Sequence, residues 1–149
     1  MVDTVAVAAD HGGYELKCAL LPELRALGLG VLDLGTDSRD SVDYPDFADA
    51  VARAVEEGRA RWGLLACGTG IGMSMAANRY RGVRAALVHD SLTARLARQH
   101  NDANVLVLGG RILGFELALD CLKVFFSTPF EGGRHARRVA KFSPVKADV

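Results

Sequence analysis

Residues 62–72 read WGLLACGTGIG, an apolar run that passes directly into a glycine-rich loop. The run WGLLAC carries no charge and is typical of a buried strand. Gly68, Gly70 and Gly72 then allow the backbone to turn tightly. A helix rich in small residues is expected from Met73 to about Tyr80. The segment therefore predicts a buried strand joined to a helix by a glycine loop.

The same unit of strand and helix recurs on both sides of this segment. Apolar strands are predicted at residues 2–9, 30–34, 62–67, 83–88 and 105–108, and helices at 14–27, 43–58, 73–80, 91–100 and 114–126. Strands that alternate with helices form a parallel sheet covered on both faces. We therefore expect one α/β domain over residues 1–149, a three-layer α/β/α sandwich around five parallel strands. The pattern leaves the strand order open.

The C-terminal region is predicted to form a basic helical arm over residues 129–149. A break at 129–133 precedes a short helix at 134–142, which carries the sequence RHARR. Arg134 and Arg138 are four residues apart, so they share one helix face and can grip a phosphate together. Arg111, just after the last strand, adds a third candidate. A solvated helix end is the alternative reading of such a charged run.

Composition excludes several classes of function. Eighteen Lys and Arg residues balance eighteen Asp and Glu residues, which argues against bulk binding of nucleic acid or a membrane surface. No run of about 18 apolar residues predicts a membrane span, and the first residues do not resemble a signal peptide. Cys18, Cys67 and Cys121 are widely spaced, which favours free thiols and indicates no metal motif. We expect a cytoplasmic protein, because free thiols fit a reducing compartment.

Polar and glycine-rich segments follow four of the predicted strands. They are Asp10-His11, residues 67–72, His89-Asp90 and residues 109–111. Ligands of parallel α/β sheets bind at the carboxyl ends of the strands, so these segments predict a site on one rim. His11 and His100 are both expected on this rim, where either could act as an acid–base group because imidazole titrates near neutrality. A structural role is the alternative for each histidine.

The glycine loop and Cys67 are the sharpest chemical signal. A loop between a strand and a helix offers unpaired N–H groups to an anion. It is not a Walker loop, because no Gly-Lys-Ser/Thr follows, and its glycines miss the dinucleotide-binding spacing. Cys67 directly before it is a candidate base or nucleophile. A structural turn and a buried inert thiol remain the alternatives.

Five motifs together resemble the ribose-5-phosphate isomerase B / LacAB sugar-phosphate isomerase family. They are DHGGY at 10–14, DYP at 43–45, CGTGIGMSMAAN at 67–78, RQHNDANVLVLGGR at 98–111 and EGGRHxxR at 131–138. They follow one another in the family's order over nearly the whole chain. The resemblance implies a Rossmann-like fold, a homodimer or tetramer, and an aldose–ketose isomerase that works through a cis-enediolate without metal or cofactor.

The resemblance also implies roles for individual residues. Cys67 matches the base, His100 the acid that opens the sugar ring, and Thr69 lies beside the enediolate oxygens. The arm is implied to reach a neighbouring subunit, so that active sites are shared. The remaining residues implied to bind substrate are Asp10, His11, Tyr44, Gly68, Gly70, Ile71, Gly72 and Asn101, with Arg111, Arg134 and Arg138 on the phosphate.

The substrate is expected to be ribose 5-phosphate, but other chemistry stays open at this stage. The family also acts on allose 6-phosphate, galactose 6-phosphate and a tetrose phosphate. A non-catalytic sensor of phosphorylated ligands would keep the glycine loop and the arginines without needing Cys67 or His100. A cysteine hydrolase would need a histidine paired with Cys67.

Overall fold

Strands and helices alternate through residues 1–143, which are the residues that the computed structural model describes. The strands are β1 (Thr4–Ala9), β2 (Gly30–Asp33), β3 (Trp62–Cys67), β4 (Ala85–Leu87) and β5 (Val105–Gly109). The helices are α1 (Tyr14–Ala26), α2 (Tyr44–Glu56), α3 (Ile71–Ala77), α4 (Ser91–Asn101), α5 (Phe115–Ser127) and α6 (Arg134–Val139). The predicted order of elements is confirmed.

All strand pairs are parallel, and the sheet has the order β2-β1-β3-β5-β4. In the register of the central strands, Val7 pairs with Leu64 and Leu65 pairs with Val107. Strand β2 pairs with one side of β1, and the later strands β3, β4 and β5 all lie on the other side of β1. The carboxyl ends of β1 and β3 therefore flank the point where the strand order reverses, which is where such sheets bind ligands.

Two apolar cores lie on opposite faces of the sheet. Alternate side chains of β1 divide between them, since Val5 and Val7 join one core and Ala6 and Ala8 join the other. The first core is covered by α1, α4 and α5, and the second by α2 and α3. Cys67 belongs to the second core, so its side chain emerges on the face of α2 and α3.

Most element boundaries differ from the sequence prediction by one to three residues, and three of these differences concern α3, β4 and α6. Helix α3 begins at Ile71 rather than Met73, because Gly70 with a φ of +81° completes the turn early. Strand β4 is shorter than residues 83–88, since it pairs on one side only, with β5. Helix α6 ends at Val139, and the predicted arm beyond Ser143 lies outside the described residues. Within the described range, no helix has the length and apolarity needed to cross a membrane.

Candidate active site

Three glycine-containing loops meet at the carboxyl edge of the sheet. A Cβ on Gly110 would lie 2.6 Å from the Gly12 carbonyl oxygen, and one on Gly12 would lie 2.9 Å from the Gly68 nitrogen. Gly110 N–H donates to the Cys67 carbonyl at 2.7 Å, and Arg111 N–H donates to the Gly68 carbonyl at 2.9 Å. The loops after β1, β3 and β5 are therefore in direct backbone contact, which glycine alone permits.

Cys67 lies at the centre of this junction, at the last position of β3. Its side chain is buried, and its Sγ accepts a hydrogen bond from Gly70 N–H at 3.1 Å. The N–H groups of Gly68, Thr69 and Gly72 donate to no atom of the described chain. A buried sulfur beside several unpaired donors forms a site for a proton-transfer step that builds negative charge on oxygen.

Asp10 shapes the loop that faces Cys67. Its carboxylate is buried, and one oxygen accepts hydrogen bonds from Gly12 N–H at 2.8 Å and Gly13 N–H at 3.2 Å. The Asp10 N–H in turn donates to the Ala66 carbonyl of β3. The carboxylate therefore closes the β1–α1 loop, the Asp10 backbone ties that loop to β3, and the second carboxylate oxygen is left for a hydroxyl group.

A cavity of about 300 Å³ opens between the β1–α1 loop and the segment after β5, with His11, Arg39 and Arg111 in its lining. His11 Nδ1 accepts a hydrogen bond from Val42 N–H at 3.2 Å, so Nε2 remains to act as a donor. Arg39 is paired with Glu15 at 2.8 Å. The guanidinium of Arg111 has no hydrogen-bond partner among residues 1–143, which leaves it free for an anion such as phosphate.

Tyr44 also lies at this edge. It opens α2, and its ring packs against the start of α3, since a Cβ on Gly72 would lie 2.5 Å from Tyr44 Cζ. The structure thus brings together ten of the predicted site residues, namely Asp10, His11, Tyr44, Cys67, Gly68, Thr69, Gly70, Ile71, Gly72 and Arg111.

The remaining four predicted residues, His100, Asn101, Arg134 and Arg138, lie at the opposite edge of the sheet. The prediction that His100 and His11 share one edge is therefore wrong. Helix α4 runs back across the sheet, and its end at His100 and Asn101 directly precedes the start of β5. Arg134 and Arg138 lie on α6, which packs against α4. Both arginine side chains are exposed and have no partner among the described residues. One chain therefore holds two incomplete halves of the predicted site.

The comparisons with known proteins match this arrangement of motifs. Residues 5–142 match the family model described as Ribose/Galactose Isomerase. The chain belongs to the ribose/galactose isomerase family. The expected enzyme class, an aldose–ketose isomerase, is thereby confirmed. Ribose-5-phosphate isomerase B of Escherichia coli is 42% identical over 142 residues, which are 95% of each chain.

Solved structures confirm the Rossmann-like fold of the isomerase. A ribose-5-phosphate isomerase from Thermotoga maritima is 52% identical, with a TM-score of 0.92, and the match covers 96% of this chain and 99% of that one. The type B ribose-5-phosphate isomerase of Trypanosoma brucei is 44% identical, with a TM-score of 0.93 and coverage of 96% and 98%.

Two residues of the isomerase lie beside His100 without having been singled out from the sequence. The ring of His135 stacks on that of His100, with centroids 4.3 Å apart, and His135 Nε2 lies 3.4 Å from Glu131 Oε2. The donor atoms of the three residues lie within 4.8 Å of one another, so together they are a candidate set of metal ligands. Glu131 and His135 are one helical turn apart, but their contact with His100 depends on the packing of α6 against α4.

Proposed function

We propose that the isomerase interconverts ribose 5-phosphate and ribulose 5-phosphate through a cis-enediolate, with Cys67 as the base. The observation that carries this proposal is the buried Cys67 sulfur beside the unpaired N–H groups of Gly68, Thr69 and Gly72. Relatives named ribose-5-phosphate isomerase from Escherichia coli and Thermotoga maritima support the choice of pentose.

The Cys67 thiolate removes the proton from C2 of the open-chain aldose. The C–H electron pair forms the C1–C2 double bond, and the carbonyl electrons move onto O1 as an oxyanion. The same sulfur then returns the proton to C1. The O2 proton passes to O1, so that O1 becomes a hydroxyl group and O2 becomes the carbonyl oxygen. A single base suffices because both carbons present their hydrogen to the same face of a cis-enediolate.

The glycine loop stabilises the intermediate. Backbone N–H groups that point at the developing oxyanion contribute on the order of 3–4 kcal/mol each in other acyl and proton-transfer sites. Gly68 and Thr69 offer such donors next to Cys67 without any rearrangement, because neither N–H has a partner to give up among residues 1–143. The hydrogen bond from Gly70 N–H to Cys67 Sγ ties the sulfur to the same loop.

The phosphate and the sugar ring are bound by residues of two chains. Arg111 stands beside Gly68 at the carboxyl edge, whereas His100, Arg134 and Arg138 lie at the amino edge of the same chain. The second half must therefore come from a partner subunit that places its amino edge over this carboxyl edge. We assign the C-terminal arm and the end of α4 to that role.

A panel of substrates tests the proposal. Initial rates with ribose 5-phosphate, allose 6-phosphate, galactose 6-phosphate and erythrose 4-phosphate are compared for the wild type and for Cys67→Ala. We expect the highest kcat/KM with ribose 5-phosphate and no turnover in the variant. A higher kcat/KM with a hexose phosphate would reassign the substrate and leave the chemistry intact. Binding of phosphorylated sugars without turnover of any of them would instead indicate a sensor.

A further inference from the structure

The His100 ring is held in one plane by a neighbour from another helix. His135 of α6 stacks on it with an interplanar angle of 12° and a centroid distance of 4.3 Å. His135 is itself buried, and the Glu131 carboxylate lies 3.4 Å from its Nε2. A half-buried ring at the end of a helix otherwise has freedom about two side-chain torsions, and the stack removes much of it.

The stacked geometry argues against chelation of a metal by this cluster. A metal bonds to imidazole in the plane of the ring, at about 2.0–2.1 Å from the nitrogen. Two rings that are nearly parallel and 4.3 Å apart have no point that lies in both planes at that distance. Chelation by His100 and His135 would therefore require the stack to break.

We propose that His135 is a positioning residue that fixes the plane of the His100 imidazole for the proton transfer that opens the sugar ring. In that step His100 gives its proton to the ring oxygen O4. The C1–O4 bond breaks with its electron pair moving to O4, and the C1 hydroxyl returns its proton to His100 as the carbonyl forms. The inference rests on the proposed function.

The test separates ring opening from proton transfer at carbon. Conversion of cyclic ribose 5-phosphate requires both steps. Exchange of the C1 hydrogen of ribulose 5-phosphate with D2O requires only the second, because its O5 carries the phosphate and it cannot close a five-membered ring. His135→Ala should lower kcat for ribose 5-phosphate by about ten- to a hundredfold, as expected for a misplaced catalytic group, with KM and the exchange rate unchanged.

His135→Phe is the matched variant, since it keeps a flat ring for the stack and gives up the contact with Glu131. It should retain most of the wild-type kcat for ribose 5-phosphate. Unchanged C1 exchange in both variants serves as the check that the folded site is intact. Equal losses in turnover and exchange, or a His135→Phe variant as slow as His135→Ala, would overturn the positioning role.

Two further measurements complete the test. His100→Asn should lose ribose 5-phosphate conversion and keep C1 exchange. If it loses neither, the ring-opening role of His100 in the proposed function fails, whereas a loss in His100→Asn without one in His135→Ala refutes the positioning inference alone. Stoichiometric Co²⁺ binding with a tetrahedral visible spectrum that His135→Ala abolishes would also refute it, because a chelating His135 cannot stack.

Discussion

At the scale of single residues, Cys67 and Cys121 show how the fold gives two buried thiols different chemistry. Cys67 ends a strand beside unpaired N–H groups and accepts a hydrogen bond from Gly70. Cys121 is fully buried in the core between α5 and the sheet. Cys67 therefore lies at the candidate active site, whereas Cys121 is enclosed by apolar side chains of the core.

Replacement of Cys67 by alanine should abolish both aldose–ketose turnover and exchange of the ketose C1 hydrogen. Loss of a general base lowers rates by about two to four orders of magnitude, so retention of more than about a tenth of the wild-type rate would contradict its assignment. Substrate affinity, measured by calorimetry, should change little. Cys18→Ala is the control, since Cys18 lies exposed on α1.

Cys121 should make stability fall in alkaline solution. Burial, reinforced by Asp120 and Asp90, raises the pKa of its thiol to about 11, whereas an unfolded thiol titrates near 8.5. The unfolded state therefore loses its thiol proton at a lower pH than the folded state does. Cys121 makes its full contribution to the free energy of unfolding below about pH 8.5, and this contribution declines as the pH rises toward 11.

Denaturant titrations between pH 8 and 10.5 test this. The free energy of unfolding of the wild type should fall by about 2 kcal/mol more than that of Cys121→Ala over this range. Parallel curves for the two proteins would mean that Cys121 ionises equally well in the folded state.

At the scale of elements, the loops after β1, β3 and β5 act as one rigid unit. Gly110 is the test position, because a Cβ there would lie 2.6 Å from the Gly12 carbonyl oxygen. Gly110→Ala should force the loops apart, cost about 1–3 kcal/mol of stability and reduce turnover.

Gly114→Ala provides the matched control for Gly110→Ala. Gly114 lies four residues further along the same connection, has a φ of −70°, and meets nothing within 4 Å of an added Cβ. Its unfolding free energy should stay within about 1 kcal/mol of the wild type, with turnover unchanged. Similar losses for the two variants, by thermal unfolding and initial rates, would show that loop contact at Gly110 is unimportant.

At the scale of the whole molecule, the two halves of the proposed site lie at opposite edges of one sheet. Cys67 and Arg111 stand at the carboxyl edge, and His100, Arg134 and Arg138 at the amino edge. A symmetric dimer in which the edges face each other creates two equivalent composite sites. Each site then takes Cys67 from one chain and the two arm arginines from the other.

Mixing two inactive variants should therefore restore activity. The Cys67→Ala variant and the Arg134→Ala/Arg138→Ala double variant are each dissociated into subunits, mixed in equal amounts and reassociated. About half of the dimers formed by random pairing are mixed, and each has one unmutated site, so about a quarter of the wild-type activity should return.

Arg137→Ala is the matched control for the double arginine variant, because Arg137 lies on the same helix outside the proposed site, so this variant should be active without mixing. No recovery in the main experiment, with exchange proven by mass spectrometry of tagged chains, would place the arm on its own chain's site.

The sequence sufficed for the order and type of the elements, because those depend on local physics. Alternation of apolar runs, helical spacing of leucines in α1 and the glycines after β3 act over a few residues. The motifs around Cys67 and Arg111 likewise placed these residues after strands, and parallel strands must present their carboxyl ends at one edge.

Packing between distant segments determined the rest. The strand order and the unpaired N–H groups beside Cys67 depend on which loops come into contact. The return of α4 to the amino edge carries His100 away from His11, and the packing of α6 on α4 brings His135 onto its ring. No local pattern encodes such contacts, because the residues involved are separated by more than thirty positions and meet only when the sheet and its helices have closed around both cores.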